Sequence, residues 1–333
     1  MANKEFRAMV VTESDDQIFT RKITTRFTDD LPAGQALIRV HYSSVNYKDA
    51  LSAFGNKGVT KNYPHTPGID AAGVVEESTV DSFRPGDQVI LTGHDLGMDT
   101  PGGFAEYVRV PADWIVKLPE NLSLKESMIY GTAGFAAALS VYRLTGNEVT
   151  PDQGDILVTG APGGVGSIAV SILVKSGFHV VAVNGKVDQR EYLLKLGARE
   201  VLSVEEATDK TGRPLLKTLW AGVVDTVGGD ILSTAIRSTK YGGTITSCGN
   251  AASPELPLTV YPFILRGVSL LGVETVNCPL DVRREIWRRL SQEWKLEHLD
   301  IIATEISLHE LDESLNLIYQ GKQKGRTVVN LTK

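Results

Sequence analysis

Two stretches of the chain carry residues whose types and spacing can do chemistry. The first is Thr159-Gly160-Ala161-Pro162-Gly163-Gly164-Val165-Gly166, which follows an apolar run at Ile156–Val158 and precedes a helical pattern of small residues. Glycines so placed let backbone amides approach a pyrophosphate, and a helix start behind them offers unpaired N–H groups and a favourable dipole. Glycines also fill ordinary turns, but the strand–turn–helix setting that the motif requires is present here. The second stretch is His41–Leu51, HYSSVNYKDAL, which puts Asn46, Tyr47, Lys48 and Asp49 where a strand passes into a short helix. Four polar side chains at a strand exit can line a reactive cleft. Equally, Asn46 and Asp49 can cap the helix and satisfy its first amides. The pattern favours neither.

Further candidates are weaker. A second strand, His179–Val183, ends at Asn184-Gly185-Lys186. In a dinucleotide fold this tip meets the adenosine ribose, where an acid suits the free 2′-hydroxyl of NAD and a cation suits the 2′-phosphate of NADP. The tip has no acid, carries Lys186 and has Arg190 nearby, so charge complementarity predicts NADPH; a slightly different turn would instead bring the Asp188 carboxylate close. His65, in Tyr63-Pro64-His65-Thr66-Pro67-Gly68, has no partner at metal-ligand spacing and reads as a surface or turn residue. Asp225 ends an apolar strand and reads as a local hydrogen-bond acceptor without a catalytic role.

The elements that must position these groups fall into two styles. Up to about Asp113 the chain reads as short strands with turns between them: Ala36–Val40, Gly73–Val75, Gln88–Leu91 and Glu106–Val110, with turn signals at Leu31-Pro32-Ala33-Gly34 and Arg84-Pro85-Gly86-Asp87. Helical periodicity begins at 121–146, opened by Ser123 with Glu126 three residues later, a capping arrangement. Gly131-Thr132-Ala133-Gly134-Phe135 interrupts it with small residues, so either two helices pack closely there or something approaches the backbone. Strands at Ala221–Gly228, Gly243–Ser247 and Val268–Gly272 then alternate with helices, which predicts a parallel sheet covered on both faces. Asp281–Leu296 reads as an amphipathic helix whose Arg283, Arg284, Arg288 and Arg289 form a solvated face paired with Glu285 and Glu293. The tail, 301–333, is paced differently and is expected to pack on the N-terminal part. The predicted domains are 1–124 with 300–333, and 125–299.

Composition narrows the function. At 333 residues the chain exceeds one comfortable core, and 42% apolar with 22% charged residues is ordinary for a soluble protein. A net charge of −6 and the lack of an aromatic-studded basic surface disfavour nucleic acid and anionic membrane as partners. The uncharged run from Ile156 to Val174 invites a membrane reading, but its four glycines and Pro162 cluster at one end. Cys248 and Cys278 supply neither a disulfide framework nor a cysteine-rich zinc site. With no signal-peptide core near Met1–Arg7, a cytoplasmic location is expected.

Taken together, SSVNYKDAL (43–51), PGIDAAGVV (67–75), GTAGFAAAL (131–139), VTGAPGGVGS (158–167), DTVGG (225–229), PFILRGVSLLGV (262–273) and KGRTVV (324–329) give the chain a resemblance. It resembles the zinc-free branch of the medium-chain dehydrogenase/reductases, in particular the acryloyl-CoA reductase or YhdH/YhfP quinone oxidoreductase family. The resemblance implies an α/β protein in which a GroES-like β-rich catalytic domain is split by a Rossmann doubly wound parallel sheet, with NADPH in the cleft. It also implies a homodimer paired through Val268–Val273. Zinc-dependent relatives carry a cysteine where Asn46 stands and a histidine–glutamate pair where Ile69-Asp70 stands, so hydride transfer without zinc, and without flavin, is implied. By the same resemblance Tyr47 lies near the nicotinamide with Asn46 and Asp49 in its motif. Thr132, Thr159, Gly160, Gly163, Gly164, Val165, Gly166, Asn184, Gly185, Lys186, Arg190, Cys248, Gly249, Ile264 and Arg326 fall at cofactor positions. Relatives often carry Ser-Gly-Arg at 184–186; lysine keeps the charge and loses the planar fork. The expected activity is NADPH-dependent reduction of the activated C=C bond of a small 2-enoyl-CoA, acryloyl-CoA to propanoyl-CoA. The alternatives are an NADPH:quinone oxidoreductase and a protein that binds NADPH without turnover, the last disfavoured by the polar motif at Asn46–Asp49.

Overall fold

The computed structural model describes residues 3–185 and 187–333. The chain divides into two compact units: one of Met1–Thr132, Thr275–Gln292 and Glu297–Lys333, the other of Ala133–Glu274 and Glu293–Leu296.

In the second unit six parallel strands form one sheet, in the order Glu200–Ser203, Val180–Asn184, Ile156–Val158, Trp220–Asp225, Thr239–Ser247, Ser269–Gly272. Numbered along the chain this is 3-2-1-4-5-6, the doubly wound Rossmann arrangement, whose ligand crevice opens where the order reverses between strands 1 and 4. Continuous apolar runs produce it: Ile156–Val158, Val180–Asn184 and Trp220–Asp225 are buried at every residue, as strands covered on both faces require.

The first unit is β-rich. Ala303–Ser307, Arg326–Asn330, Ala36–Val45, Asp70–Ser78, Gln88–Thr92 and Ile115–Lys117 make a sheet in that order, with Tyr107–Val110 added on Ala36–Val45. Its core gathers Ile38, Val40, Leu91, Phe104, Ile115 and Val329. Glu5–Glu13 and Phe19–Phe27 form a separate antiparallel pair. Among the described residues no helix is long and apolar enough to cross a membrane.

The helix Leu124–Gly146 starts as its sequence predicts. Ser123 Oγ accepts the Glu126 N–H at 3.1 Å, and the Glu126 carboxylate accepts the Ser123 N–H at 2.8 Å. It breaks at Gly131, whose φ of 50° and ψ of −157° are non-helical. A Cβ there would lie 2.5 Å from Asp70 Oδ2 and 2.5 Å from Ser44 Oγ. Of the two readings of the small-residue interruption, close approach to the backbone is the one observed.

Two expectations are corrected. His65 is buried rather than at the surface: its Nε2 lies 3.0 Å from the Gly97 carbonyl oxygen, and burial holds its pKa below the ordinary value. The helix expected over Asp281–Leu296 spans Leu280–Ser291, ending where the Ser291 hydroxyl donates back to the Arg288 carbonyl at 2.8 Å and Gln292 leaves helical geometry. On that helix Arg288 and Arg289 do pair with Glu285, each at 2.7 Å. Arg283, however, is 1% exposed and donates to the carbonyls of Thr92 (2.8 Å), Thr275 (2.7 Å) and Val276 (3.2 Å). It tethers the segment to the strand end at Thr92.

Removing a buried partner of several carbonyls leaves them unsatisfied, so Arg283→Ala is expected to lower unfolding stability by about 3 kcal/mol. The exposed neighbour Arg284→Ala should change it by less than about 0.5 kcal/mol. Urea denaturation of both variants checks this; equal midpoints would show that the tether contributes nothing.

Candidate active site

The strand register of the first unit assembles a buried polar cluster. Ala36–Val45 and Asp70–Ser78 are antiparallel with Tyr42 opposite Ala72, which carries Asp70 alongside Ser44. On the other side Arg326–Asn330 pairs with Thr327 opposite Val45, bringing Arg326 to the same end. The kink at Gly131 brings Thr132 onto it.

Asp70 is wholly buried and accepts from every direction. Ser44 Oγ donates to it at 2.6 Å and Asn46 Nδ2 at 2.7 Å, both to Oδ2. The Thr132 hydroxyl donates to Oδ1 at 2.6 Å, and the Thr132 N–H reaches both oxygens, at 2.9 and 3.0 Å. Arg326, 2% exposed, supplies the countercharge at 3.7 Å. Its Nε donates to the Ile129 carbonyl (3.0 Å), Nη1 to the Val45 carbonyl and Asn46 Oδ1 (both 3.1 Å), and Nη2 to Ser44 Oγ (2.8 Å). Burial pulls its pKa below the ordinary value, opposed by Asp70 and Asp49.

Around this cluster the helix Tyr47–Ala53 begins, with Asn46 as its N-cap. The Asn46 amide is turned inward, between Asp70 and Arg326. Asp49 is also fully buried; its Oδ2 accepts the Asn46 N–H at 2.7 Å and its Oδ1 the Ile69 N–H at 2.8 Å. Asp49 therefore works as a helix cap and a staple to the next strand. Burial, reinforced by the nearby charge of Asp70, pushes its pKa up to about 7. Tyr47, held between these two anchored neighbours, is 52% exposed.

The second unit uses a similar device at its crevice. The register aligns Val158 with Val224 and Asp225 with Ser247, so three neighbouring strands end together. Asp225 is buried and accepts from Thr159 Oγ1 (2.7 Å), Ser247 Oγ (3.0 Å) and the Gly228 N–H (3.1 Å). Thr159 is thus engaged with Asp225. Behind it Gly160 has φ +59°, and a Cβ there would sit 2.2 Å from Thr226 Oγ1. A Cβ on Gly166 would lie 2.3 Å from the Gly160 carbonyl oxygen, so glycine is required where helix and turn meet. Gly163 is the N-cap of the 12-residue helix Gly164–Lys175, which starts with Gly164-Val165-Gly166. The turn has the form that receives a pyrophosphate.

The remaining expected positions are placed as follows. Asn184 is buried at the end of its strand, Gly185 is exposed, and Lys186 lies outside the described residues. Arg190 donates through Nη1 to the Val201 carbonyl at 2.7 Å. Cys248 packs with its Sγ 3.5 Å from the Asp225 carbonyl oxygen, and burial pushes its thiol up to about 12. Gly249 approaches Thr226 so closely that a Cβ would lie 2.2 Å from its carbonyl oxygen. Ile264 is 67% exposed. Arg326, expected among the cofactor positions, turns its guanidinium into the buried cluster, where four backbone or side-chain acceptors converge beside Asp70. Residues to which sequence reasoning gives no site role are Asp70 and Ser44, and Gly131 is singled out there only as part of a small-residue interruption. The signal was an acid opening the apolar strand IDAAGVV next to a motif rich in polar residues. Among the described residues no group of three or more His, Cys, Asp or Glu side chains is arranged to hold a metal ion.

Comparison with known proteins agrees with this architecture. Residues 32–120 match the alcohol dehydrogenase GroES-like domain, and residues 164–292 match the zinc-binding dehydrogenase family model. YhfP of Bacillus subtilis, named a quinone oxidoreductase, is 47% identical over 98% of this chain and 99% of its own. Its solved structure, with NAD bound, matches with a TM-score of 0.96 over 98% of this chain and 99% of that one. The acrylyl-CoA reductase AcuI of Ruegeria pomeroyi is 40% identical over 98% of this chain and 99% of its own. The yhdH oxidoreductase of Salmonella enterica, solved with NADP, matches with a TM-score of 0.94 and 41% identity, covering 97% of this chain and 99% of that one.

The burial of Asp49 has a pH signature. Its folded pKa, about 7, lies above the unfolded value near 3.8, so the folded state holds the extra proton and the contribution of this group is fully present below pH 4. It is lost as pH rises towards and through 7. Asp49→Asn removes the titration, so the stability advantage of the native protein over this variant should shrink between pH 5 and pH 8, by at most about 3 kcal/mol at roughly 1.4 kcal/mol for each pH unit up to the folded pKa. Denaturation midpoints across that range test it; a gap constant with pH would refute the shift.

Proposed function

The chain belongs to the acryloyl-CoA reductase and YhdH/YhfP quinone oxidoreductase family of medium-chain dehydrogenase/reductases, and we propose that it is a cytoplasmic NADPH-dependent reductase of small 2-enoyl-CoA thioesters, acryloyl-CoA first among them. The observation that carries the reading is the display of Tyr47: its neighbours Asn46 and Asp49 are buried and hydrogen-bonded, while its own ring is turned to solvent at the strand exit. The relative named acrylyl-CoA reductase supports the substrate class.

The second unit fits the cofactor, since the cradle at Gly160 and Gly166 excludes a side chain and ends in a helix N-terminus. The turn from Gly160 to Gly166 would hold the pyrophosphate, with Thr159, Asn184, Gly185, Cys248, Gly249 and Ile264 completing the site. Lys186 and Arg190 would receive the 2′-phosphate. When bound, NADPH supplies the hydride that adds to the β-carbon of the enoyl thioester. Thr132 and Asn46, fixed by Asp70, would shape the wall beside it. Tyr47 would donate a hydrogen bond to the thioester oxygen as negative charge develops, or the proton that ends at the α-carbon. In this reading residues 1–124 with 300–333 form the catalytic domain and 125–299 the cofactor domain. Ser269–Gly272, an edge strand of the six-stranded sheet, suits pairing with a second copy.

A quinone reductase is the second reading, favoured by the name of the 47% identical relative. Steady-state NADPH oxidation with acryloyl-CoA, crotonyl-CoA and a benzoquinone side by side separates the two. Saturable turnover of acryloyl-CoA with poor quinone activity is expected; quinone turnover alone would reverse the order, and cofactor binding without any turnover would overturn both. Tyr47→Phe should lower kcat for the thioester about 10- to 100-fold, the range of a lost proton or hydrogen-bond donor. Lys186→Glu should raise the KM for NADPH about tenfold or more while leaving NADH within about twofold, through lost charge complementarity. Unchanged cofactor preference would remove Lys186 from recognition.

A further inference from the structure

We propose that Asp70 is a positioning residue of the reaction, a single buried carboxylate that sets the placement of Tyr47 through Asn46 and of Thr132 directly. The inference rests on the catalytic reading of Tyr47 above and adds to it a residue that touches neither substrate nor cofactor.

Three features point to this role. First, the Asn46 side chain is fully committed inward. Its amide donates to Asp70 at 2.7 Å and to the Ser44 carbonyl at 3.3 Å, and its oxygen accepts from Arg326 at 3.1 Å. Its orientation follows from Asp70 and Arg326, and the backbone of the next residue, Tyr47, follows from it. Secondly, Asp70 holds Thr132 by hydroxyl and by N–H together, which fixes both the side-chain rotamer and the backbone one residue beyond the Gly131 kink. Two donors from one residue leave Thr132 little freedom. Thirdly, the approach is too close for any side chain at Gly131, where a Cβ would meet Asp70 Oδ2 and Ser44 Oγ at 2.5 Å and Arg326 Nη2 at 2.8 Å. The helix is bent around the carboxylate at a position only glycine fills comfortably.

Asp70 is an acceptor only, and every group around it is a donor: two hydroxyls, an amide, a backbone N–H and a guanidinium. Asparagine in its place would present an NH2 to at least one of these donors. The expected result is a rotated Asn46 or Thr132 in a chain that still folds. Misplacement of a reactive group on this scale is read in turnover more than in cofactor binding.

The test is a double-mutant cycle of Asp70→Asn and Tyr47→Phe in the full chain, with acryloyl-CoA turnover, NADPH Kd by fluorescence and thermal unfolding as readouts. Asp70→Asn should lower kcat about tenfold or more while changing NADPH Kd by less than about threefold. Tyr47→Phe should then cost much less in the Asp70→Asn background than in the native one, because the tyrosine is already misplaced. Equal costs in the two backgrounds, or an unchanged kcat in a folded Asp70→Asn protein, would overturn the inference while leaving the reductase reading intact. A silent Tyr47→Phe substitution in the native background would overturn the catalytic reading and this inference with it. Should Asp70→Asn fail to fold, Thr132→Val removes one donor and keeps the charge pair. It should lower kcat about fivefold, with Thr132→Ser restoring it to within about twofold; equal turnover in all three proteins would refute the role.

Discussion

The burial of one carboxylate organises the first unit. A charge withdrawn from water is tolerated only when it is paired and fully hydrogen-bonded, and Asp70 meets both conditions. Meeting them draws three separate pieces of chain to one point: the strand end and helix cap at Ser44 and Asn46, the kinked helix at Thr132 and the C-terminal strand at Arg326. None of these segments lies near Asp70 in sequence. The strands Ala36–Val45 and Arg326–Asn330 are joined by this cluster as well as by the sheet between Thr327 and Val45.

Such a cluster is a poor source of stability. Apolar residues of similar volume often hold a fold together equally well, because desolvation offsets much of the attraction between buried charges. Its distinguishing property is direction. A carboxylate with five donors around it accepts few arrangements, whereas an apolar plug accepts many. Burial is the larger cause of the rise of the Asp49 pKa to about 7, and the nearby charge of Asp70 adds to it. Asp225 repeats the principle in the second unit, collecting Thr159, Ser247 and Gly228 at the ends of adjacent strands. In both units a buried acid is responsible for order at a strand end while the exposed groups beside it stay available.

How much of this was legible in the sequence depends on the range of the interaction. Local patterns read directly: the capping pair Ser123–Glu126 forms as written, the apolar runs of the parallel sheet are strands, and the glycine turn has the geometry its spacing implies. Long-range partnerships were not readable. Arg283 looks like its neighbours on an amphipathic helix, yet one of its acceptors is the Thr92 carbonyl, 191 residues away. Arg326 carries the same ambiguity, with acceptors some 280 residues upstream. His65 sits among prolines and glycines that signal a turn, and only the packing of that turn buries it. For a basic side chain the helical period reports which face it occupies, and nothing about a carbonyl contributed by a distant strand.

The HYSSVNYKDAL stretch shows why the two readings of a polar motif need not compete. Asp49 accepts the N–H of the N-cap Asn46, closing the helix start, and the Asn46 side chain is spoken for by the cluster beneath. Those commitments are what free Tyr47 from any structural duty, since the helix start is already anchored one residue before it and two residues after it. A tyrosine ring is amphipathic, and when it is not buried its hydroxyl can meet a ligand. A display position of this kind costs the fold little to maintain and a great deal to position. The positioning is supplied by buried side chains that never reach the surface, which is why the residues that determine geometry here are found under the site rather than in it.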